Sequence, residues 1–163
     1  MAGKVVKRAF WENSFLDRSS LSDTLVLNLK RFTVQSQGGG NVKINDFLSF
    51  PQVIDLAPIT RPVSETRSLD APAPSSTSDD PLLYGLVGII VHKGEATHGH
   101  YYSLVKHATG VWYKVDDEKV GIFEESQIAE ECFGGVNIKT KSYRVEKKPK
   151  NYNAFVLFYR RMQ

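Results

Sequence analysis

The stretch Gly99-His100-Tyr101-Tyr102-Ser103, followed after a short loop by Trp112-Tyr113-Lys114-Val115-Asp116-Asp117, holds the side chains of this chain best suited to moving a proton. A histidine at the start of one strand and paired aspartates at the end of the next are the parts of an oriented imidazole. The carboxylate holds one ring nitrogen and so fixes the tautomer, which leaves the other nitrogen to take a proton from a nucleophile. Tyr101–Lys106 and Val111–Val115 read as two strands joined by the tight turn His107-Ala108-Thr109-Gly110. Antiparallel pairing through such a turn returns Asp116 to the level of His100, so the spacing predicts that the two are neighbours. Each has a blander reading on its own: Asp116-Asp117 after a strand is a turn signal, and a solitary histidine in a strand-rich domain is more often a core or surface residue. Paired on adjacent strands, they favour a site. Gly99 removes a side chain where another backbone must approach, and the polar, glycine-bearing run from His92 to Gly99 has the character of an active-site rim.

A nucleophile is harder to find. Cys132, the single cysteine, lies in Ile128-Ala129-Glu130-Glu131-Cys132-Phe133-Gly134-Gly135, where apolar residues recur at helical spacing and paired glycines end the helix. That context predicts a packed thiol rather than a reactive one. His92 and His98 are weaker candidates: a zinc site joining them to His100 and Asp116 would lack the Cys or Glu that completes a familiar ligand set. No glycine-rich phosphate loop, Walker sequence or Gly-x-Ser-x-Gly elbow is present. We therefore expect no metal and no cofactor, and we expect Tyr102 and Trp112 in the core.

At 163 residues, with 41% hydrophobic and 11% aromatic residues, the chain has the length and composition of one folded domain. No apolar run approaches the roughly 20 residues of a membrane span. The stretch from Met1 to Phe10 lacks the long apolar segment and small-residue cleavage pattern of a secretory signal. A single cysteine excludes a tetracysteine zinc site within this chain and is unlike a disulfide-rich secreted domain. These features place the chain in the cytoplasm or the nucleus, with no membrane partner. The net charge of +3, from 21 basic against 18 acidic residues, is too small to imply a nucleic-acid partner. The basic residues concentrated between Lys139 and Lys150 read as a solvated loop, because no groove-reading motif or aromatic platform accompanies them.

The coarse pattern is all-β with one or two helices. Leu25, Leu27 and Leu29 alternate with polar or smaller residues in a first strand. Gln35–Asn41 reads as a flexible loop, Val42–Ile44 as a short strand, and Phe47 to Leu56 as an apolar segment broken by Pro51 and Pro58. Between residues 60 and 83 the composition turns to Ser, Thr, Pro and Asp, which predicts a disordered insertion within the domain. Tyr84–His92 is a nearly continuous apolar strand. A helix follows Val120, Ile122 and Phe123, with Glu124 and Glu125 near its positive start. Asn153–Arg160 reads as a central strand, with Phe155, Leu157 and Tyr159 on one face and Ala154, Val156 and Phe158 on the other.

Several of these segments, in this order, resemble the landmarks of the ubiquitin-specific protease family: Leu25 to Phe32, Lys43-Ile44-Asn45-Asp46 with Phe50-Pro51, Tyr84 to Gly94, Gly99-His100-Tyr101, Trp112 to Asp117, and Asn153 to Tyr159. The resemblance runs from about Gly3 onward. It implies an α+β fold: a papain-like cysteine protease palm on an antiparallel β-sheet, lacking the helical thumb and the zinc fingers. Residues 1–163 would then form one partial catalytic domain, its carboxy-terminal portion. The implied activity is deubiquitination, the thiol-dependent hydrolysis of the bond after a ubiquitin carboxy terminus, with ubiquitin or ubiquitinated proteins and a thumb-and-finger segment as partners. His100 is implied as general base, Asp116 as the residue that orients it and Asp117 as an assistant. Gly99 and Tyr101, with His98 nearby, would border the slot for a Gly-Gly tail, under blocking loops formed by the glycine-rich stretch from Phe32 to Val42 and by His92 to Gly99. Nothing in the chain matches the family's Asn-Thr-Cys box or its paired finger cysteines, and Cys132 does not stand in for the nucleophile. The isolated chain is therefore expected to be inactive. The rival reading is a non-catalytic ubiquitin-binding or scaffold module; a basic nucleic-acid-binding domain is a distant third.

Overall fold

The computed structural model describes residues 16–35, 39–61, 81–141 and 144–163. The readings of the amino-terminal stretch from Met1 to Phe10 and of residues 62–80 lie outside them. In chain order the strands are β1 (Leu16–Asp17), β2 (Thr24–Asn28), β3 (Phe32–Gln35), β4 (Gly39–Lys43), β5 (Val53–Asp55), β6 (Thr60–Arg61), β7 (Leu83–Gly94), β8 (Gly99–Lys106), β9 (Trp112–Asp116) and β10 (Lys119–Phe123). The helix α1 (Ile128–Cys132) follows, then β11 (Val136–Lys141), β12 (Arg144–Pro149) and β13 (Tyr152–Arg161). No helix among the described residues is long and apolar enough to cross a membrane.

A seven-stranded sheet in the order β10-β9-β8-β7-β13-β2 carries the fold, and β5 pairs with the start of β7 along the edge that β8 leaves open. Every pair in it is antiparallel. β7 and β13 lie inside the sheet; their residues on one face, such as Leu86, Val91, Leu157 and Tyr159, are fully buried, while those on the other are mostly half-buried. One face is closed by α1. Its Ile128 and Cys132, four residues apart and hence on one side of the helix, are buried among Val91, Tyr102, Leu104, Trp112, Leu157 and Tyr159. The helix stops at Gly134 (φ 73°) and Gly135 (φ 80°), and a Cβ on Gly134 would sit 2.8 Å from the Asn45 carbonyl oxygen. Glycine is thus required there both by backbone conformation and by space. Leu25, Leu27 and Leu29 pack against the core while Val26 is exposed, as the alternation predicts.

Four expectations need correction. The stretch Gln35–Asn41 is not simply a loop: β3 and β4 form an antiparallel hairpin, with Gln35 opposite Gly39, and only residues 36–38 lie outside the described part. The basic stretch from Lys139 to Lys150 is not a solvated loop either. β11 and β12 pair from Val136–Pro149 to Lys141–Arg144, and Lys150 is only 4% exposed. Its ammonium donates to the Glu130 carbonyl at 2.6 Å and pairs with the Glu130 carboxylate at 2.8 Å, which compensates the buried charge. Charge density hid a hairpin in which Val136 and Ile138 are exposed. β10 was not expected as a separate strand, although Val120 and Ile122 alternate with Lys119 and Gly121 after a two-residue turn. Lastly, Phe155 does not share a face with Leu157 and Tyr159. A register shift between Ala154 and Val156 turns it to the opposite side, where it packs against Phe32 at 5.4 Å and Tyr101 at 5.7 Å between ring centres.

Of the segment from 60 to 83, the described ends are built into the fold: Thr60–Arg61 pairs with Leu16–Asp17 in parallel, Leu82 is buried and Leu83 begins β7. Asp55 joins these ends, since its Oδ1 accepts from the backbone N–H groups of both Ala57 and Leu82 at 2.9 Å. Those two hydrogen bonds hold its carboxyl below the usual range.

Candidate functional site

Register sets the site. β7 pairs with β8 through Lys93–His100 and Gly94–Gly99, β8 pairs with β9 through Ser103–Val115 and Lys106–Trp112, and β9 turns into β10 with Asp116 opposite Lys119. His100 therefore stands at the entry of β8 and Asp116 at the exit of β9, on neighbouring strands. The structure brings them together: His100 Nε2 lies 2.5 Å from Asp116 Oδ1. Asp117 Oδ2 is 3.9 Å from the same nitrogen. The hydrogen bond from His100 holds the Asp116 carboxyl below the usual carboxylate range, aided by the positive charges of His100, Lys114 and Lys119. With Nε2 committed to the carboxylate, Nδ1 is the ring nitrogen left for proton transfer. Asp117 has a second role as well. Its φ of 51° makes it the one described non-glycine residue in the left-handed region, a conformation that Asp tolerates better than most side chains.

His100, Asp116 and Asp117 could each offer a ligand atom within 4.8 Å of the others. The 2.5 Å contact argues for a hydrogen bond instead. Two ligands at about 2.1 Å from a zinc ion in tetrahedral geometry would stand more than about 3 Å apart.

The approach to His100 is built around Gly99. A Cβ there would fall 1.9 Å from His92 Nε2, so the group that needs the space is a side chain, not the backbone expected from sequence. His92 is 2% exposed, lies edge-on to Phe32 at 5.2 Å and tilts against Tyr101 at 4.7 Å. Burial and the nearby Lys43 charge push its pKa down, which disfavours the protonated ring. Lys43 stood in the sequence only as part of a landmark segment, with no role given to it. Its ammonium donates to the carbonyls of His92 (2.9 Å), Gly94 (3.2 Å) and Asn151 (2.7 Å), tying the end of β7 to the start of β13. Burial pushes Lys43 down to about 8. At neutral pH it therefore keeps its three N–H donors, one for each carbonyl. Nothing in the Val42-Lys43-Ile44 pattern distinguished this lysine from an exposed strand residue.

The other expected residues divide. Tyr101 is 49% exposed and, one residue from His100 on the same strand, faces the opposite side of the sheet with His92 and Phe155. His98 lies in the exposed loop closed by the Glu95 N–H on its carbonyl, and its Nδ1 meets Thr97 Oγ1 at 3.0 Å. Tyr102 and Trp112 are in the core as expected. So is Cys132, fully buried, with burial and the neighbouring Glu131 pushing its thiol up to about 12. Beside the His100–Asp116 pair a cavity of about 310 Å³ opens, walled also by Lys93, Lys114 and Glu131, none of which stood out in the sequence.

Residues 16–159 match the ubiquitin carboxyl-terminal hydrolase family. This chain belongs to that family. It is 34% identical over 162 residues to the probable ubiquitin carboxyl-terminal hydrolase FAF of Drosophila melanogaster, covering 86% of this chain and 6% of that protein. It is 37% identical over 118 residues to ubiquitin carboxyl-terminal hydrolase 15 of Saccharomyces cerevisiae, covering 71% of this chain and 9% of the yeast protein. Among solved structures it resembles a chain of the SAGA Ubp8/Sgf11/Sus1/Sgf73 DUB module bound to ubiquitin aldehyde, with a TM-score of 0.59 and 27% identity over 88% of this chain and 25% of the other. The chain thus spans less than a tenth of these two curated relatives and a quarter of that solved chain. The mostly antiparallel architecture agrees with the fold those relatives carry.

Proposed function

We propose that this chain supplies the histidine–carboxylate half of a cysteine-type deubiquitinase and part of the cleft for the ubiquitin tail. The observation that carries the reading is the 2.5 Å contact between His100 Nε2 and Asp116 Oδ1 in a chain of the ubiquitin carboxyl-terminal hydrolase family. Asp116 orients the imidazole, Nδ1 takes the proton of a cysteine thiol, and the resulting imidazolium is stabilised by the carboxylate. The thiolate attacks the carbonyl at the ubiquitin carboxy terminus, the imidazolium returns its proton to the leaving amine, and water hydrolyses the thioester through the same imidazole. Asp117, farther from the ring and more exposed, assists by polarity around the imidazolium. Gly99, with Tyr101 and His98 nearby, shapes the approach of the tail.

The reacting thiol has to be a cysteine outside these residues, because Cys132 is enclosed and carries a raised pKa. We assign a papain-like palm to the chain and a complementary, cysteine-bearing thumb segment as its partner.

The test is complementation. The chain alone is expected to leave a ubiquitin amide reporter intact; mixed with a cysteine-bearing segment from the yeast relative it is expected to turn the reporter over. His100→Ala is expected to abolish that turnover, Asp116→Ala to reduce it strongly and Asp117→Ala to reduce it less. Turnover by the chain alone that disappears in Cys132→Ala would overturn the assignment. Ubiquitin binding without turnover, with the added cysteine placed beside His100, would favour a scaffold.

A further inference from the structure

Next to the His100–Asp116 pair, the cavity wall carries a charged cluster that the proposed proton transfer does not use. Tyr102 stands two residues along β8 from His100, and Lys114 two residues before Asp116 on β9, so strand alternation turns all four side chains to one face. Glu131 reaches this face from α1. Its Oε1 accepts from the Tyr102 hydroxyl at 2.5 Å and from the Lys114 ammonium at 2.9 Å, while that ammonium also sits 3.9 Å from the centre of the Tyr102 ring. Burial works against the Glu131 carboxylate, but the hydrogen bonds from Tyr102 and Lys114, with the charges of Lys114 and Lys93, hold it below the usual carboxylate range.

Lys114 has a choice of acids. A lysine ammonium rides on a flexible four-carbon stem and brings three donors and a full charge. The Asp116 carboxylate lines the same cavity, and the Lys114 charge already lowers its pKa. An ammonium that swung across to Asp116 would draw the carboxylate toward itself and weaken the His100 contact on Oδ1, although the two carboxylate oxygens can accept more than one donor. Glu131 is what occupies it.

We propose that Glu131 is a positioning residue that captures Lys114 and so keeps the Asp116 carboxylate free for His100. The consequence for catalysis rests on the proposed function, but the competition between two acids for one ammonium does not. A carboxylate that merely fastened α1 to the sheet would use the same two hydrogen bonds. The two roles part in the response to a second substitution: if Glu131 only fastens the helix, removing Lys114 as well cannot repair its loss.

The experiment follows the ring-nitrogen resonances of His100 and the side-chain carboxyl carbon of Asp116 by NMR in the 163-residue chain. E131Q keeps the size of the side chain and a carbonyl oxygen for Tyr102, but it removes the charge that holds Lys114. The expected result is loss of the His100 tautomer lock in E131Q and its return in the E131Q/K114M double variant. In the complemented enzyme, kcat/KM is expected to fall on the order of tenfold in E131Q with KM little changed, and to recover most of that loss in the double variant. An unchanged His100 signature in folded E131Q would overturn the proposal, and so would a double variant that stays folded yet does not regain the signature. Should E131Q fail to fold, K114M alone decides: with the competitor gone, the signature is expected to match the parent, and its loss would refute the idea. The NMR readout needs no turnover. A complemented mixture that never becomes active therefore counts against the proposed function alone, whereas an active mixture indifferent to E131Q, with the His100 signature unchanged, counts against this inference alone.

Discussion

Gly99→Ala tests whether the site is positioned by packing behind it. The added Cβ would fall 1.9 Å from His92 Nε2, about 1.5 Å inside ordinary contact, which begins near 3.4 Å. His92 has little freedom to yield. It is 2% exposed, Phe32 and Tyr101 flank its ring, and Lys43 holds its own backbone carbonyl. Because a packed interior transmits strain, the start of β8 absorbs much of the 1.5 Å, and His100 is the next residue. Overpacking of this size costs about 1–3 kcal/mol. A shift of His100 by even part of that distance breaks a 2.5 Å contact, and misplacement of about 1 Å costs on the order of 100-fold in rate. Denaturant unfolding of the chain measures the first effect, and NMR of the His100 imidazole together with turnover in the complemented enzyme measures the second. Truncating the ring in Gly99→Ala/His92→Ala is expected to restore the His100–Asp116 contact even though stability falls further. A Gly99→Ala chain with parental stability and an intact His100–Asp116 hydrogen bond would refute the packing argument.

Three further outcomes are expected. Asp116 has a folded-state pKa below its ordinary one, so its contribution to stability is present above the ordinary carboxylate range and is lost as pH falls through the lowered value. Carboxyl-carbon NMR is expected to show Asp116 titrating higher in His100→Ala than in the parent, and no difference between the two would remove the assigned cause. Cys132, with its thiol pushed up to about 12, is expected to resist alkylation at pH 8 in the folded chain and to react once denaturant unfolds it; rapid labelling of the native chain would contradict the packed site. Asp55→Ala removes the acceptor shared by Ala57 and Leu82 and is expected to lower the melting temperature and increase proteolysis between residues 55 and 83, read by peptide mapping, while leaving the His100 resonances in place.

The parts of this structure legible in the sequence are those in which one strong local signal decides the outcome. Leu83–Gly94 and Tyr152–Arg161 are long, strongly apolar runs, and a run of that kind is legible as an interior strand without knowledge of its partners. The turn at His107–Gly110 fixes how β8 meets β9, so two residues remote in sequence could be placed beside each other from periodicity alone. Where the deciding term is tertiary, the pattern fails. The displacement of Phe155 depends on one extra residue in the β7–β13 ladder, which alternation cannot register. The β11–β12 hairpin looked too charged to be a strand pair, because Lys and Arg fill much of it and the apolar residues Val136 and Ile138 are exposed.

The same division runs through the site. His100, Asp116 and Gly99 announce themselves by residue type and spacing, since few side chains carry out proton transfer and few positions demand the absence of a side chain. Lys43, Lys114 and Glu131 do not, and His92 stood out only as a weak metal ligand, because a lysine that satisfies three carbonyls and a lysine that faces water are the same letter in a strand. Their roles exist only once β4, β7, β13 and α1 have met around β8 and β9. The sequence therefore identifies the groups suited to proton transfer, and the packing identifies the groups that surround them. By that reasoning the kinetic cost of substitutions at Glu131 and Gly99 depends on a second residue, Lys114 or His92, so their effects combine non-additively with that partner and additively with residues outside its network.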